Sequence, residues 1–174
     1  MGHPPSMQPF TFEELDSATE VVRRHVPPTP QYEWPLLSEA AGSTVVVKHE
    51  NHTPIGAFKV RGGLVYLDRL VTERPDVTGV ISATRGNHGQ SLAFAGREYG
   101  RKVVIYVPYG NSIEKNAAMR ALGAEVIEHG HDFQEAREES IRAADERGLE
   151  AVPPFHRDLV IGVATYVREL FDAA

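Results

Sequence analysis

Lys59 is the residue whose type and position say most about chemistry in this sequence. It lies in the segment Gly56-Ala57-Phe58-Lys59-Val60-Arg61-Gly62-Gly63, at the predicted start of a helix. The positive end of the helix dipole disfavours a charged lysine there, and the neutral amine is the form that makes a Schiff base with a carbonyl. The ring of Phe58 could lie against a flat heterocycle. The segment therefore predicts covalent chemistry at Lys59, the alternative being an ordinary exposed lysine.

A second glycine-rich turn joins a predicted strand to a predicted helix and reads Ser82-Ala83-Thr84-Arg85-Gly86-Asn87-His88-Gly89-Gln90. Free backbone N–H groups at the start of a helix bind a carboxylate or a phosphate. Asn87 could instead only cap the helix, which is a common role for asparagine. Beside the Lys59 segment, the anion-binding interpretation is favoured. Together the two segments predict an enzyme that holds an aldehyde cofactor and an amino-acid carboxylate.

The elements that must position these groups alternate between strands and helices. Strands are predicted at 44–48 (buried), 78–82, 103–107 and 124–128, and helices at 10–25, 59–70, 87–99, 113–122, 133–147 and 158–171. Thr11 with Glu14 predicts a capping box, and Ser112 and Asp132 are predicted N-caps. Such alternation predicts βαβ crossovers in an α/β fold, with a parallel sheet in a three-layer αβα arrangement.

The segment from Lys48 to Gly62 closely resembles the lysine segment of the fold-type II pyridoxal-phosphate enzymes, which usually reads K-x-E-x-x-Q-x-T-G-S-F-K-x-R-G. The most similar versions are those of threonine and serine dehydratases and serine racemases. Gly86-Asn87-His88-Gly89-Gln90 is similar to the family's S-A-G-N-H-x-Q turn, and Gly123-Ala124-Glu125-Val126 to its G-A-E-V. The resemblance covers most of the chain and implies a tryptophan synthase β-like fold.

This resemblance implies a role for each matching residue. Lys59 carries pyridoxal 5′-phosphate and later shuttles the α-proton, Phe58 lies beside the cofactor, and Asn87 bonds its 3′-hydroxyl. The residues around the substrate carboxylate are Thr84, Arg85, Gly86, Asn87 and His88.

The sequence departs from the family pattern at three places. Ala57 stands where the family often has serine, and the segment from Gly162 to Thr165 only loosely matches the usual G-Q-G-T. Arg85 stands where racemases place a serine that acts as a second acid/base, so a two-base racemase mechanism is disfavoured. The guanidinium of Arg85 could bind a second carboxylate, as in a hydroxyaspartate. The alternative is that Arg85 faces solvent or pairs with a neighbouring acid.

The resemblance also predicts a division into lobes. Residues 1–9 are expected to be a flexible leader, 10–65 the N-terminal part of a large lobe, 66–157 a small α/β lobe, and 158–174 a return into an incomplete large lobe. The family's tetraglycine phosphate loop has no counterpart, so the chain is expected to be an N-terminal fragment. Such a fragment alone is expected to be a poor catalyst and to associate.

The implied reaction is the conversion of a hydroxy amino acid to a 2-oxo acid and ammonia, as in threonine or serine dehydratases. Two alternatives stay open. One is a β-replacement or threonine synthase-type reaction in the same family, and the other is a non-catalytic interaction module. A homodimer in the cytoplasm is expected.

Composition narrows the function classes further. The formal net charge of -6 disfavours a general nucleic-acid binder, which needs a basic face. The sequence has 0 Cys, which excludes disulfides and thiolate metal sites. It has neither a secretory signal nor an apolar run long enough to span a bilayer. His129-Gly130-His131 lacks further ligands at fixed spacing, so no metal site is predicted.

Overall fold

The computed structural model describes residues 10–173, so the leader predicted at 1–9 lies outside the described residues. In chain order the elements are α1 Phe12–Arg23, β1 Gln31–Glu33, α2 Pro35–Ala41, β2 Val46–Lys48, a 3-10 turn Glu50–His52, α3 Lys59–Glu73, β3 Gly79–Ala83, α4 Asn87–Glu98, β4 Lys102–Val107, α5 Ile113–Ala121, β5 Glu125–Glu128, α6 Phe133–Arg147, β6 Glu150–Ala151 and α7 Arg157–Asp172.

A four-stranded parallel sheet organises the second half of the chain, in the spatial order β5-β4-β3-β6. In its central pair, Gly79 of β3 is opposite Lys102 of β4, and Ala83 is opposite Tyr106. All residues of β3 are buried, as expected of a parallel strand covered on both faces. The predicted parallel α/β sheet is confirmed. The turn after β3 opens at the carboxyl edge, where ligands bind in such sheets.

Helices cover both faces of this sheet, because strand side chains alternate between the faces. On one face, Val80 and Ile105 pack in a core with Leu64 of α3 and Leu92 of α4. On the other face α6 covers the strands, and that cluster contains Ile81, Ala83, Val104, Tyr106, Ala136, Ala143 and Ala144. The three layers place α3 and α4 side by side over the sheet.

Helix boundaries follow the capping signals in the sequence. Thr11 and Glu14 form the predicted capping box, with the Glu14 carboxylate 2.7 Å from Thr11 N and the Thr11 hydroxyl 3.2 Å from Glu14 N. Ser112 and Asp132 cap α5 and α6 through their side chains, as predicted. Gly148 ends α6 with a φ of 62°, a left-handed conformation that glycine adopts without steric cost.

The prediction of a buried strand at 44–48 is wrong in its length and its burial. β2 spans only Val46–Lys48, pairs antiparallel with β1, and keeps its residues partly exposed. A run of β-branched residues favours a strand but does not report its burial. β1 and α2 were not predicted, although Pro35 occupies the first turn of α2, where a missing N–H has no cost.

Glycines allow α3 and α7 to cross at close range. A Cβ on Gly62 would lie 2.7 Å from Leu159 O, and a Cβ on Gly162 would lie 2.7 Å from the Cα of Gly62. The backbones therefore touch where these glycines meet. This contact explains why α3 contains glycine despite its cost of roughly 1 kcal/mol relative to alanine. It also fixes α7 against the helix that begins with Lys59.

Candidate active site

The approach to Lys59 is a turn organised by Thr53. The Thr53 hydroxyl donates to Ala57 O and accepts from Ala57 N, both at 2.9 Å. Gly56 has a φ of 65°, so the turn requires glycine there for backbone reasons. The turn delivers the chain directly into α3, with Lys59 as its first residue, as predicted.

Lys59 is half-buried, and its amine makes no ion pair with any residue from 10 to 173. Its Nζ lies 5.4 Å from the centroid of the Phe58 ring. That ring is 40% exposed and also approaches Tyr166 at a centroid distance of 6.1 Å. An unpaired amine beside an open aromatic ring suits attachment of a flat carbonyl compound.

The turn at residues 84–88, called here the Asn87 turn, leaves its helix start uncapped. Thr84 is buried, and its hydroxyl accepts a 3.1 Å hydrogen bond from Gly86 N. Gly86 is the N-cap of α4, and no side chain of the described residues caps the helix. The capping role considered for Asn87 is therefore wrong, because Asn87 is already the first helical residue. Its exposed amide and the first N–H groups of α4 remain open to a ligand.

The Lys59 segment and the Asn87 turn lie side by side. The Ser91 hydroxyl, one turn into α4, donates a 2.5 Å hydrogen bond to Lys59 O. A Cβ on Gly63 would collide with the Ser91 side chain, so glycine permits this close approach. Because Ser91 is four residues beyond Asn87, the first turns of α3 and α4 meet at one site.

The pKa of His88 also reflects the proximity of the Lys59 segment to the Asn87 turn. Its side chain is 9% exposed, and its buried Nε2 has no hydrogen-bond partner among the described residues. Burial, followed by the positive charge of Lys59, lowers the pKa of His88 to about 4. At neutral pH this imidazole is therefore uncharged, and the nearby cation that disfavours its protonation is Lys59.

A buried charge network joins the first turn of α3 to α7, and it was not predicted from the sequence. It consists of Lys48, Glu50, Arg61 and Glu169. Arg61 is fully buried and donates two hydrogen bonds of 2.8 and 2.9 Å to Glu50 and two of 2.9 Å to Glu169. Lys48 Nζ lies 3.0 Å from Glu169. Two cations and two carboxylates thus balance each other.

The charged forms in this network are stabilised by their partners. Burial alone would raise the pKa of Glu169, but hydrogen bonds from Arg61 and Lys48 outweigh it and hold that pKa below its usual range. Lys48, Glu50 and Arg61 belong to the segment quoted for the resemblance. Glu169 lies 108 residues beyond Arg61, so no local sequence pattern predicts the contact.

The described residues contain neither a metal-binding cluster nor a membrane-spanning helix. Within residues 10–173, no group of three or more His, Cys, Asp or Glu side chains is placed to hold a metal ion. Over the same range, every helix is too short or too polar to cross a membrane.

Comparison with known proteins decides the family. Residues 22–174 match the family model described as pyridoxal-phosphate dependent enzyme. The chain belongs to this family. Its cofactor is pyridoxal 5′-phosphate, which confirms the resemblance stated from the lysine segment and the asparagine turn.

Curated relatives of this pyridoxal-phosphate dependent enzyme are longer proteins. L-Threonine dehydratase biosynthetic IlvA of Salmonella typhimurium is 37% identical over 143 residues, covering 82% of this chain and 28% of the relative. L-Threonine ammonia-lyase of Thermotoga maritima is 33% identical over 164 residues, covering 94% of this chain and 41% of the relative. The chain therefore spans about a quarter to two fifths of their length.

Solved structures of this family share the fold. A pyridoxal 5′-phosphate-dependent aspartate racemase superposes with a TM-score of 0.91 at 28% identity, covering 98% of this chain and 53% of that one. Threonine deaminase isoform 2 of Solanum lycopersicum gives a TM-score of 0.82 at 27% identity, covering 95% and 50%. The expected fold-type II architecture is confirmed.

The side chains at the site fit the family's cofactor. The Lys59 amine has no ion-pair partner within residues 10–173, the Phe58 ring is partly exposed, and Asn87 is exposed. The buried, unpartnered Nε2 of His88 also suits a site completed by a polar ligand.

Proposed function

We propose that the protein containing this chain is a pyridoxal-phosphate-dependent ammonia-lyase that acts on 3-hydroxy amino acids. The observation that carries the proposal is the meeting of α3 and α4 through the hydrogen bond from Ser91 to Lys59 O. This contact joins an amine suited to the cofactor with an anion-binding helix start. Relatives named threonine dehydratase and L-threonine ammonia-lyase support the reaction class.

Three residues would hold the cofactor. Lys59 would attach it through Nζ, Phe58 would lie beside its ring, and Asn87 would bond its hydroxyl through the side-chain amide. When bound, pyridoxal phosphate supplies an electron sink conjugated to the α-carbon of the substrate.

The substrate would be oriented by the Asn87 turn. Backbone N–H groups of the turn bind the α-carboxylate, with Thr84, Arg85, Gly86 and His88 around it. Because His88 is neutral at pH 7, the turn's backbone and the nearby cations supply the attraction for the anion.

Lys59 Nζ then acts as the base that accepts the α-proton. The Cβ–O bond would then break, and the hydroxyl would take up one proton, equivalent to the proton lost from the α-carbon, and leave as water. Hydrolysis takes up one water and releases ammonia, so the net products are a 2-oxo acid and ammonia. No oxidant or reductant is consumed.

A lyase is favoured over a racemase by the residue before Gly86. A racemase needs a second acid/base on the opposite side of the α-carbon. Arg85 occupies the position assigned to that group, and a guanidinium stays protonated at any physiological pH. The aspartate racemase, by its name, acts on an amino acid with two carboxylates. That similarity therefore supports an acidic substrate more than a racemisation.

The test is made on the natural gene product that contains these residues. We expect pyridoxal phosphate to produce a visible absorption band that Lys59→Ala abolishes, and threonine or a related hydroxy amino acid to yield a 2-oxo acid. Ser17→Ala, on the exposed face of α1, is the matched control and should keep both signals. A band that survives in Lys59→Ala would contradict the proposal.

The proposal also includes the lobe boundaries, the oligomeric state and the cellular location. The small lobe would span 66–157, the protein would be a homodimer, and it would work in the cytoplasm. Because some relatives are named mitochondrial or chloroplastic, cell fractionation is the test of the location. Light scattering of the purified protein tests the dimer.

A further inference from the structure

We infer that Arg85 and Lys115 form a second anion subsite beside the Asn87 turn, and that this subsite selects 3-hydroxy amino acids with a side-chain carboxylate. The inference rests on the proposed function, because it assigns the substrate class of the same site.

Lys115 lies on α5, but its side chain contacts the Asn87 turn. A Cβ built on Gly86 would meet the Lys115 side chain at 2.8 Å from Cδ, 3.4 Å from Cε and 3.6 Å from Cγ. The aliphatic part of the side chain therefore crosses the backbone of Gly86. Since Arg85 directly precedes Gly86, the two cationic side chains share one short stretch of backbone.

Neither cation is neutralised by the fold. Within residues 10–173, the exposed side chains of Arg85 and Lys115 make no hydrogen bond or ion pair. Glu114, the acid adjacent to Lys115 in sequence, instead accepts a 2.8 Å hydrogen bond from Ser112 at the start of α5.

This lack of partners contrasts with other cations in the same lobe. Lys102 and Arg147 both pair with Glu125, at 3.0 and 2.7 Å. The chain as a whole carries a formal net charge of -6, so acids are abundant. Arg85 and Lys115, which have no acid partner among the described residues, thus create a local positive potential beside the start of α4 in an acidic protein.

His88 lies two residues beyond Gly86, at the start of α4. It is 9% exposed, and its Nε2 is buried without a partner, which is uncommon for a polar atom in a folded protein. Its ring remains neutral, so the positive charge of the subsite comes from Arg85 and Lys115.

The chemistry of the two cations defines the ligand. The planar guanidinium of Arg85 can hold a carboxylate through two parallel hydrogen bonds, and Lys115 adds a point charge. With the α-carboxylate on the backbone N–H groups, a substrate needs a second carboxylate close to its β-carbon. A 3-hydroxyaspartate has this arrangement. Loss of its hydroxyl as water, followed by hydrolysis, gives oxaloacetate and ammonia with atoms and electrons balanced.

The decisive experiment compares substrates in the natural gene product loaded with pyridoxal phosphate. The quantity measured is kcat/KM for 3-hydroxyaspartate divided by kcat/KM for threonine. We expect this ratio to exceed 1 in the wild type. A charged hydrogen bond contributes about 1.5–3 kcal/mol, so Arg85→Gln should lower the ratio about 10- to 100-fold, mainly through KM. Lys115→Gln should lower it about 2- to 5-fold.

Arg137→Gln is the matched control, because Arg137 is a partly exposed arginine on α6 whose guanidinium has no ion pair among the described residues. It should leave the ratio unchanged. Equal losses on both substrates in Arg85→Gln would overturn the inference. Faster turnover of O-phosphoserine than of 3-hydroxyaspartate would also overturn it, because the subsite would then recognise phosphate.

A binding measurement separates this inference from the proposed function. Calorimetry with succinate and with butyrate needs no turnover. We expect the wild type to bind succinate more tightly than butyrate and Arg85→Gln to lose that preference. If no hydroxy amino acid is converted but this preference holds, the reaction is wrong and the subsite stands. If turnover occurs without the preference, the subsite is wrong.

Discussion

Two sets of charged groups near Lys59 differ in burial and in pairing. The buried charge network (Lys48, Glu50, Arg61 and Glu169) pairs every cation with a carboxylate away from water. In contrast, Arg85 of the Asn87 turn and Lys115 of α5 are exposed to solvent, and neither pairs with an acid among residues 10–173. Paired charges here join segments that are distant in sequence, whereas the two exposed cations have no acid partner among the described residues.

The network also links segments that are distant in sequence. Arg61 stands two residues after Lys59, Glu50 precedes the Thr53 turn, and Glu169 lies near the end of α7. Because all three are hydrogen-bonded together, a displacement of α7 would move the first turn of α3. Orientation of Lys59 therefore depends on a contact outside the site itself.

Removing one acid from the network should have the largest effect. Glu169→Gln leaves Arg61 and Lys48 buried with one carboxylate, which should lower the free energy of unfolding by about 3–5 kcal/mol. Urea unfolding at pH 7 measures this. Glu146→Gln, which breaks an exposed pair with Arg142, is the control and should cost less than about 1 kcal/mol. Similar losses in both variants would refute the distinction between the two kinds of charge.

Acid should weaken the fold through His88. The pKa of His88 is about 4 in the fold against 6.5 for the free side chain, so the unfolded chain binds more protons between these values. Stability from this group is complete above pH 6.5 and is lost as the pH falls towards 4, by up to about 3 kcal/mol. Urea midpoints at several pH values should show this slope, and His88→Gln should reduce it. An unchanged slope in the variant would rule out His88 as its source.

The crossing of α3 and α7 gives an intermediate effect. Gly162→Ala should destabilise the protein by about 1–3 kcal/mol, because the new methyl group meets the backbone of Arg61 and Gly62. Helix propensity alone predicts the opposite sign, a gain of about 0.5–1 kcal/mol. Thermal unfolding distinguishes these outcomes, and a stabilised variant would mean that the helices are not in contact there.

The smallest effect is expected at the Asn87 turn. Arg85→Gln and Lys115→Gln remove exposed charges that have no partner within residues 10–173, so the free energy of unfolding should change by less than about 0.5 kcal/mol. A loss above about 1 kcal/mol in urea unfolding would show that these side chains stabilise the fold, and would weaken their assignment to a ligand.

Local signals in the sequence predicted much of the fold. α6 spans Phe133–Arg147 as predicted, because Asp132 caps its start and Gly148 ends it. The parallel sheet followed from strands alternating with helices of this kind. The surface ribbon of β1 and β2 was missed, since its pairing depends on tertiary contact between short segments rather than on periodicity.

The site was predictable where its residues are close in sequence. Lys59 and Asn87 begin their helices as expected, and the hydrogen bond from Ser91 to Lys59 O joins the first turns of α3 and α4. Glu169 was not predictable, because its partners are more than a hundred residues away in the chain. Lys115 was missed for a similar reason, since its place over Gly86 depends on how α5 packs.

The central claim is that the Lys59 amine and the Asn87 turn share one site, and the pKa of His88 tests it most directly. Two-dimensional NMR would follow the imidazole of His88 in the wild type and in Lys59→Met, with Lys115→Met as the control. Because the Lys59 charge helps to lower this pKa, we expect about 4 in the wild type, a clear rise in Lys59→Met, and no rise in Lys115→Met. The same His88 pKa in the wild type and in Lys59→Met would contradict the claim that the amine lies beside the turn.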